Sequence, residues 1–342
     1  MLLLILALLF SLLACSPEQV PNDPLDHFKS IKIKNLKISN KIDLEEYEVY
    51  KPWEVKKANG SYYLFDDAKT NIFTVLNPVT GYYKHGVNIG DGPDELLFPR
   101  LEVSKSKLMI FDTHRLKRYI LVDEPNLDLR VEPVQDIGVE ALIRPTFFGD
   151  RMAAKGRGGT SWLRYYVDNV LRDSTYFPHF KETDYLSDLD KVEVFLNGTQ
   201  KFKPDGSKLV VSLMDGCALA IYSCDEEGLN NRVMLEYFPP VFFKEDYSDK
   251  VVIGITTKCK LGFLEISCTN DYIFALYSGR VLNDGIFDAY RGNQVLVYDW
   301  DGKPVKHYQL ETDLVSFDVD AESGILYGIG YDPEACIFEY KL

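Results

Sequence analysis

Between residues 45 and 342, short apolar runs alternate with polar interruptions in a pattern that returns several times. Tyr62-Tyr63-Leu64-Phe65-Asp66 followed by Asn71-Ile72-Phe73-Thr74-Val75 reappears as Leu108-Met109-Ile110-Phe111-Asp112 and Arg118-Tyr119-Ile120-Leu121-Val122. It returns at Tyr272 to Leu276 with Gln294 to Tyr298, and at Ile325 to Ile329 with Cys336 to Tyr340. Each run has strand length and is rich in the β-branched and aromatic residues that pack on a pleated surface. Taking the second strand of each phrase as a marker, six are found, beginning near Ile72, Arg118, Trp162, Ala218, Gln294 and Cys336. Turn chemistry follows most of them, as in Asn77-Pro78-Val79-Thr80-Gly81 and Asp225-Glu226-Glu227-Gly228. A period of roughly 40–50 residues marks a propeller or solenoid, because one such unit cannot bury its own apolar face. Six markers predict an all-β fold: a six-bladed β-propeller of four-stranded antiparallel blades.

The last marker runs almost to the end of the chain, which leaves the sixth blade short of its outer strand. Ile31 to Ile38 alternates apolar residues with Lys, as a solvent-facing outer strand should. The pattern predicts that this N-terminal strand completes the last blade and closes the ring. Two segments lengthen the spacing, Glu226 to Lys260 and Ser278 to Asn293, and insertions of this kind map to loops, often on the binding face. Within the first of them, Phe238 to Phe243 is expected to pack internally.

Composition refines this picture. Of 342 residues, 46% are hydrophobic and 13% aromatic, enough for a large core, and residues 29–342 are read as one closed propeller domain. A formal net charge of −14 repels phosphate backbones, so no nucleic-acid partner is expected. Leu2 to Leu13 is apolar but shorter than the roughly 20 residues that a spanning helix needs, and residues 1–14 are read as a signal peptide. The segment ends Leu12-Leu13-Ala14-Cys15, which resembles a bacterial lipobox, making Cys15 the candidate lipidation site. The competing reading is an ordinary secretory signal. Residues 15–28, with three Pro before Asp26, are read as a flexible tether, and the expected location is the bacterial cell envelope, lipid-anchored to the outer membrane on its periplasmic or surface face. Five cysteines remain, an odd number, and they are expected to be free thiols.

Gly90-Asp91-Gly92-Pro93-Asp94-Glu95-Leu96-Leu97-Phe98-Pro99, together with the strand ending at Asp112, resembles an NHL-type repeat. Phe202-Lys203-Pro204-Asp205-Gly206-Ser207-Lys208-Leu209-Val210 resembles the strand-turn-strand signature of TolB-type blades. The closing blades, from Val297 to Tyr327, are similar to those of TolB-like six-bladed propeller lipoproteins of bacteria. The resemblance implies a fold and an envelope location and brings no substrate.

Chemistry-bearing motifs are sparse. The five histidines are scattered, no cysteine pair has zinc spacing, and no cofactor or metal site is expected. Lys155-Gly156-Arg157-Gly158-Gly159 lacks the Gly-Lys-Ser/Thr of a phosphate loop and reads as a turn between strands. The uneven feature is positive charge on two adjacent blades: His114, Arg115, Lys117 and Arg118 on the second, Lys155 and Arg157 on the third. Arg100 and Arg144 enter just after blade crossings. In an acidic protein these residues could recruit an anionic ligand. The plainer reading makes them solvated turn residues. The preferred function is a non-catalytic, membrane-anchored binding module for an envelope protein or a small anionic ligand. The alternatives are a propeller hydrolase or lactonase with an axial divalent metal, and a purely structural envelope role. Cys15→Ala should release the chain from the membrane fraction, and a lipid precursor should label the parent but not the variant. Unchanged membrane association would refute the anchor.

Overall fold

The computed structural model describes residues 22–67, 70–92, 94–104, 107–124, 128–137, 142–156, 159–248 and 250–342. Cys15 and Arg157 lie outside the described residues. The described part of the chain opens with a short helix, α1 (Pro24–His27), and two strands, β1 (Ile33–Leu36) and β2 (Ile38–Asp43). The first blade then runs from the axis outward as β3 (Pro52–Ala58), β4 (Ser61–Asp66), β5 (Asn71–Asn77) and β6 (Tyr82–Asn88). The second is β7 (Pro99–Ser104), β8 (Lys107–Asp112), β9 (Lys117–Val122) and β10 (Arg130–Asp136). The third is β11 (Leu142–Phe148), β12 (Arg151–Gly156), β13 (Leu163–Val167) and β14 (Val170–Thr175). After α2 (Asp188–Val194), the fourth comprises β15 (Gln200–Phe202), β16 (Lys208–Leu213), β17 (Cys217–Cys224) and β18 (Leu229–Phe238).

A separate hairpin, β19 (Phe242–Asp246) with β20 (Val251–Ile255), interrupts the crossing to the fifth blade. That blade is β21 (Phe263–Cys268), β22 (Tyr272–Tyr277) and, after α3 (Ile286–Ala289), β23 (Gly292–Asp299) and the first part of β24 (Pro304–Asp320). The rest of β24 starts the sixth blade, followed by β25 (Ile325–Tyr331) and β26 (Ala335–Lys341). Blades 5 and 6 thus share one long strand, and Leu314 within it pairs with Gly292 of blade 5 and Gly330 of blade 6.

Six hydrophobic clusters fill six seams, which fixes the blade count independently of strand pairing. Phe65 and Val75 meet Leu101 and Ile110 between blades 1 and 2. Phe111 meets Phe147 and Met152 between blades 2 and 3, and Tyr165 meets Leu209 and Val211 between 3 and 4. Leu219 and Ile221 meet Phe263 and Ile266, Leu276 and Val297 meet Phe317 and Phe338, and Ile329 and Ile337 meet Val55 and Leu64. Each blade is therefore apolar on both faces, as the near-continuous hydrophobic strands of the sequence require.

Local chemistry closes the loops. Asp66 and Asp112, the acids that end the recurring phrase, turn inward at the blade crossings. Asp66 accepts from the Lys51 amide (2.9 Å) and Asp112 from those of Leu97 (2.9 Å) and His114 (2.8 Å). At the other ends of the strands, Asx turns predominate: Asn77, Asp205, Asp225 and Asp299 each accept from backbone amides two to four residues on. The disc thus has a crossing face, carrying the blade-to-blade loops and the loops between second and third strands, and an opposite hairpin face.

Closure uses the N-terminus, with a correction to its register. The strand that completes blade 6 is β2, antiparallel to β26, with Ile38 opposite Tyr340 and Asp43 opposite Cys336. The upstream part of the expected closing segment runs elsewhere: β1 lies parallel to β24, Ile33 opposite His307, as a fifth strand on blade 5. Either edge accepts alternating Lys and apolar residues, so alternation alone cannot choose between them. The five described cysteines are free, as expected. Phe238 to Phe243 is only partly internal: Pro240 is buried, but Val241 and Phe243 are exposed because the hairpin stands clear of the blades.

A chain beginning at residue 37 should keep one cooperative unfolding transition. Losing the buried Phe28 and Leu36 should lower its stability by roughly 5 kcal/mol. A chain beginning at residue 44, with blade 6 unfinished, should lose cooperativity altogether. Denaturant melts of both decide it, and equal behaviour would refute the closure.

Candidate functional site

Strand alternation points two residues of each inner strand at the propeller axis. Register aligns them into two stacked layers. Nearer the hairpin face stand Lys56, Glu102, Thr146, Lys201, Ser267 and Asp318, opposite Tyr63, Met109, Ala153, Val210, Phe274 and Tyr327 of the second strands. Nearer the crossing face stand Glu54, Arg100, Arg144, Thr199, Glu265 and Ser316. Four acids thus face four bases along one axis, a balance that lets so polar a channel lie inside the protein.

The layers are cross-linked. Lys56 of blade 1 reaches Asp318 of blade 6 at 2.9 Å and Glu265 of blade 5 at 3.4 Å. Glu265 also accepts from the Ser316 hydroxyl (2.8 Å) and the Phe317 amide (3.0 Å), while the Ser267 hydroxyl donates to Asp318. Glu54 accepts from the Leu101 amide and Glu102 from the Phe147 amide, so a carboxylate of one blade caps the inner strand of the next. Burial opposes the charge on Lys56, but Asp318 and Glu265 outweigh it and hold its pKa well above the ordinary lysine range. Burial raises Glu54 and Glu102. Asp318 stays below the usual carboxylate range because Lys56 and Lys201 offset its burial.

This donor set does not suit a divalent cation. Glu265 and Asp318 converge on an ammonium group that already occupies the space between them, and no three His, Cys, Asp or Glu side chains among the described residues are grouped to hold a metal.

The crossing-face end, or mouth, of the axis carries Arg100 from blade 2 and Arg144 from blade 3. Arg100 stacks on Trp53, its guanidinium carbon 4.1 Å from the ring centre, and burial together with neighbouring Arg144 pulls its pKa down to about 10. Arg144 sits at φ 48° in the bulge between Ile143 and Thr146, a left-handed conformation that costs a non-glycine residue on the order of 1 kcal/mol. Among the described residues neither guanidinium has a carboxylate within ion-pair distance. Asp215, which burial raises, accepts from Asn197 (2.6 Å), and half-exposed Tyr290 stands within electrostatic reach of Asp215 and Arg144.

Of the positive residues picked out in the sequence, Arg100 and Arg144 meet at this mouth. Arg115 turns into the first crossing, donating to the Gly92 carbonyl at 2.7 Å and pairing with Asp91 at 3.5 Å. Arg118 is buried in the seam between blades 2 and 3, over the Phe147 ring and bonded to Gln135. Lys117 pairs with Asp136 on the outer strands, and His114 stands exposed beside Phe98. Lys155 is buried near Trp162 and donates to the Ser212 carbonyl at 2.9 Å. Sequence reasoning missed Glu54, Lys56, Lys201, Asp215 and Tyr290. Their one available signal was charge inside strand-length runs, as in Glu54-Val55-Lys56.

A closed ring of six blades around a charge-lined axis defines the chain as a six-bladed β-propeller. It belongs to the TolB-like 6-blade propeller-like family, whose model matches residues 28–322. No curated protein sequence matches it. Similar solved structures include the calcium-binding protein regucalcin from Agrobacterium tumefaciens, at 11% identity and TM-score 0.48 over 91% of this chain and 97% of that one. The β-propeller domain of Cps50 (Swd1) from Myceliophteria thermophila is 10% identical, with TM-score 0.47 over 90% of this chain and 99% of that one. Raptor from Chaetomium thermophilum is 11% identical, with TM-score 0.47 over 93% of this chain and 30% of that one.

Burial, reinforced by Arg144, pulls Lys155 down to about 7 from the ordinary 10.5. Between those values the unfolded chain binds more protons than the native one. Native stability therefore rises with pH across that window, and the full penalty applies below it. Lys155→Met should exceed the parent by roughly 3 kcal/mol at acidic pH, with the gap closing towards pH 10. Denaturant titrations across that range check this, and a gap that ignores pH would refute it.

Proposed function

We propose that this propeller is a lipid-anchored binding module of the bacterial envelope that takes a small anionic ligand, such as a carboxylate or an acidic sugar, at the crossing-face mouth of its axis. The observation that carries the reading is the pair Arg100 and Arg144. Two guanidinium groups from adjacent blades stand together at one end of the axis without a carboxylate within ion-pair distance among the described residues, whereas Lys56 and Arg118 face acids of neighbouring strands. A planar fork of donors suits a carboxylate, and partial burial strengthens each bond it makes. Tyr290, within electrostatic reach of Arg144, supplies a neutral polar group that can orient a ligand. Lys56 holds Glu265 and Asp318 together, so the axis needs no metal to stabilise those acids.

The test is calorimetric titration of residues 22–342 with di- and tricarboxylates and uronic-acid oligosaccharides. A binding anion should lose roughly ten- to a hundredfold in affinity in Arg144→Ala and weaken with added salt. Lys303→Ala, on the hairpin face, should bind as the parent does. Salt-insensitive binding, or full retention in Arg144→Ala, would overturn the site.

A further inference from the structure

We propose that the crossing face is turned to the lipid bilayer, with the insertion built from α2 and the β19–β20 hairpin resting in the headgroup region. This deepens the lipid-anchor reading above and depends on it.

The first support is where the described chain begins. Asp23 is pinned at the seam of blades 4 and 5: its carboxylate pairs with Lys260 at 2.6 Å and accepts from the Tyr277 hydroxyl at 3.0 Å. His27 bonds to the Tyr237 hydroxyl, and Phe28 is buried against Tyr298. Lys260 belongs to the blade crossing itself, five positions beyond the end of β20. Cys15 precedes Asp23 by only eight positions. Fully extended, that length reaches about 28 Å, little more than the ~23 Å height of a seven-residue strand. A lipid on Cys15 therefore keeps this crossing close to the headgroups.

The second support is the distribution of exposed apolar groups. Tyr176, Tyr185, Leu189, Tyr247, Phe287 and Phe98 are all more than half exposed, and all stand on crossing-face loops. The hairpin face is finished in Asp, Asn and Gly turns; among the described residues its large apolar groups more than half exposed are Val79, Val170 and Leu171, with Tyr82 and Tyr83 exposed to a lesser degree beside them. Tyr and Phe favour the membrane–water boundary, where an apolar ring and a wet edge are both satisfied. The platform is braced: Tyr185 stacks on Phe242 at 6.2 Å, and Lys244 pairs with Asp190 at 3.0 Å, joining the crossings on either side of blade 4. In this pose the Arg100–Arg144 mouth opens towards the headgroups as well.

The experiment places nitroxide labels on the lipidated protein in phosphatidylethanolamine–phosphatidylglycerol vesicles, at Tyr247→Cys, Phe287→Cys and Val79→Cys. The parent without an introduced cysteine supplies the background, since its thiols are buried or half-buried. Labels at 247 and 287 should gain collisions with oxygen and lose collisions with a water-soluble nickel chelate, while the label at 79 stays fully accessible to the chelate. Equal chelate accessibility at all three sites, with Cys15-dependent membrane association intact, would overturn the orientation and leave the anchor standing. Membrane association that survives Cys15→Ala would instead refute the anchor. Protection at 247 and 287 that needs an added envelope protein and is absent with vesicles alone would assign the face to a protein and overturn the proposal.

Discussion

One ammonium group holds the axis of this disc together. Lys56 crosses from blade 1 to the acids of blades 5 and 6, spanning the place where the two ends of the ring meet. Without it, Glu265 and Asp318 would be like charges buried side by side, a situation that costs several kcal/mol per ion. The remaining axial acids depend on similar neighbours: Glu54 and Glu102 cap the next blade's inner strand through backbone amides. Apolar packing fills the seams, but it is directionless and would tolerate blades sliding against one another. The axial contacts have fixed donors and acceptors, so they set which blade stands beside which.

Much of this architecture is legible in the chain. The outer three strands of most blades announce themselves through apolar runs and Asx turns, because both faces of a blade are buried and each turn must satisfy its own amides. The inner strands are harder to see. Glu54, Lys56, Arg100 and Glu102 give them the look of solvent-exposed edges, whereas the polar face they present is the axis. The same ambiguity displaces the closing strand. Ile31 to Ile38 alternates as an outer strand should, but the chain uses Ile33–Leu36 to widen blade 5 and Ile38–Asp43 to finish blade 6.

Site residues are the least legible level, and the reason is long-range pairing. Arg115 and Arg118 read as free positive charge along the sequence, yet one is taken up by carbonyls of the first crossing and the other by an aromatic seam. Arg100 and Arg144 have the same residue type and similar local context. What separates them is that no carboxylate among the described residues lies within ion-pair distance, which depends on residues from other blades. Tyr290 comes from the insertion between β22 and β23 and Asp215 from the short turn between β16 and β17, and no local pattern marks either.

The N-terminal segment enters at the seam of blades 4 and 5 but completes blade 6, so it straps the outside of the disc before it closes it. Tension applied through that end first meets Asp23, the buried Phe28 and the β1 ladder. Pulled along its length, that ladder is loaded in shear, with its hydrogen bonds sharing the force. The β2 pairing that seals the ring is thereby shielded from being peeled open one bond at a time.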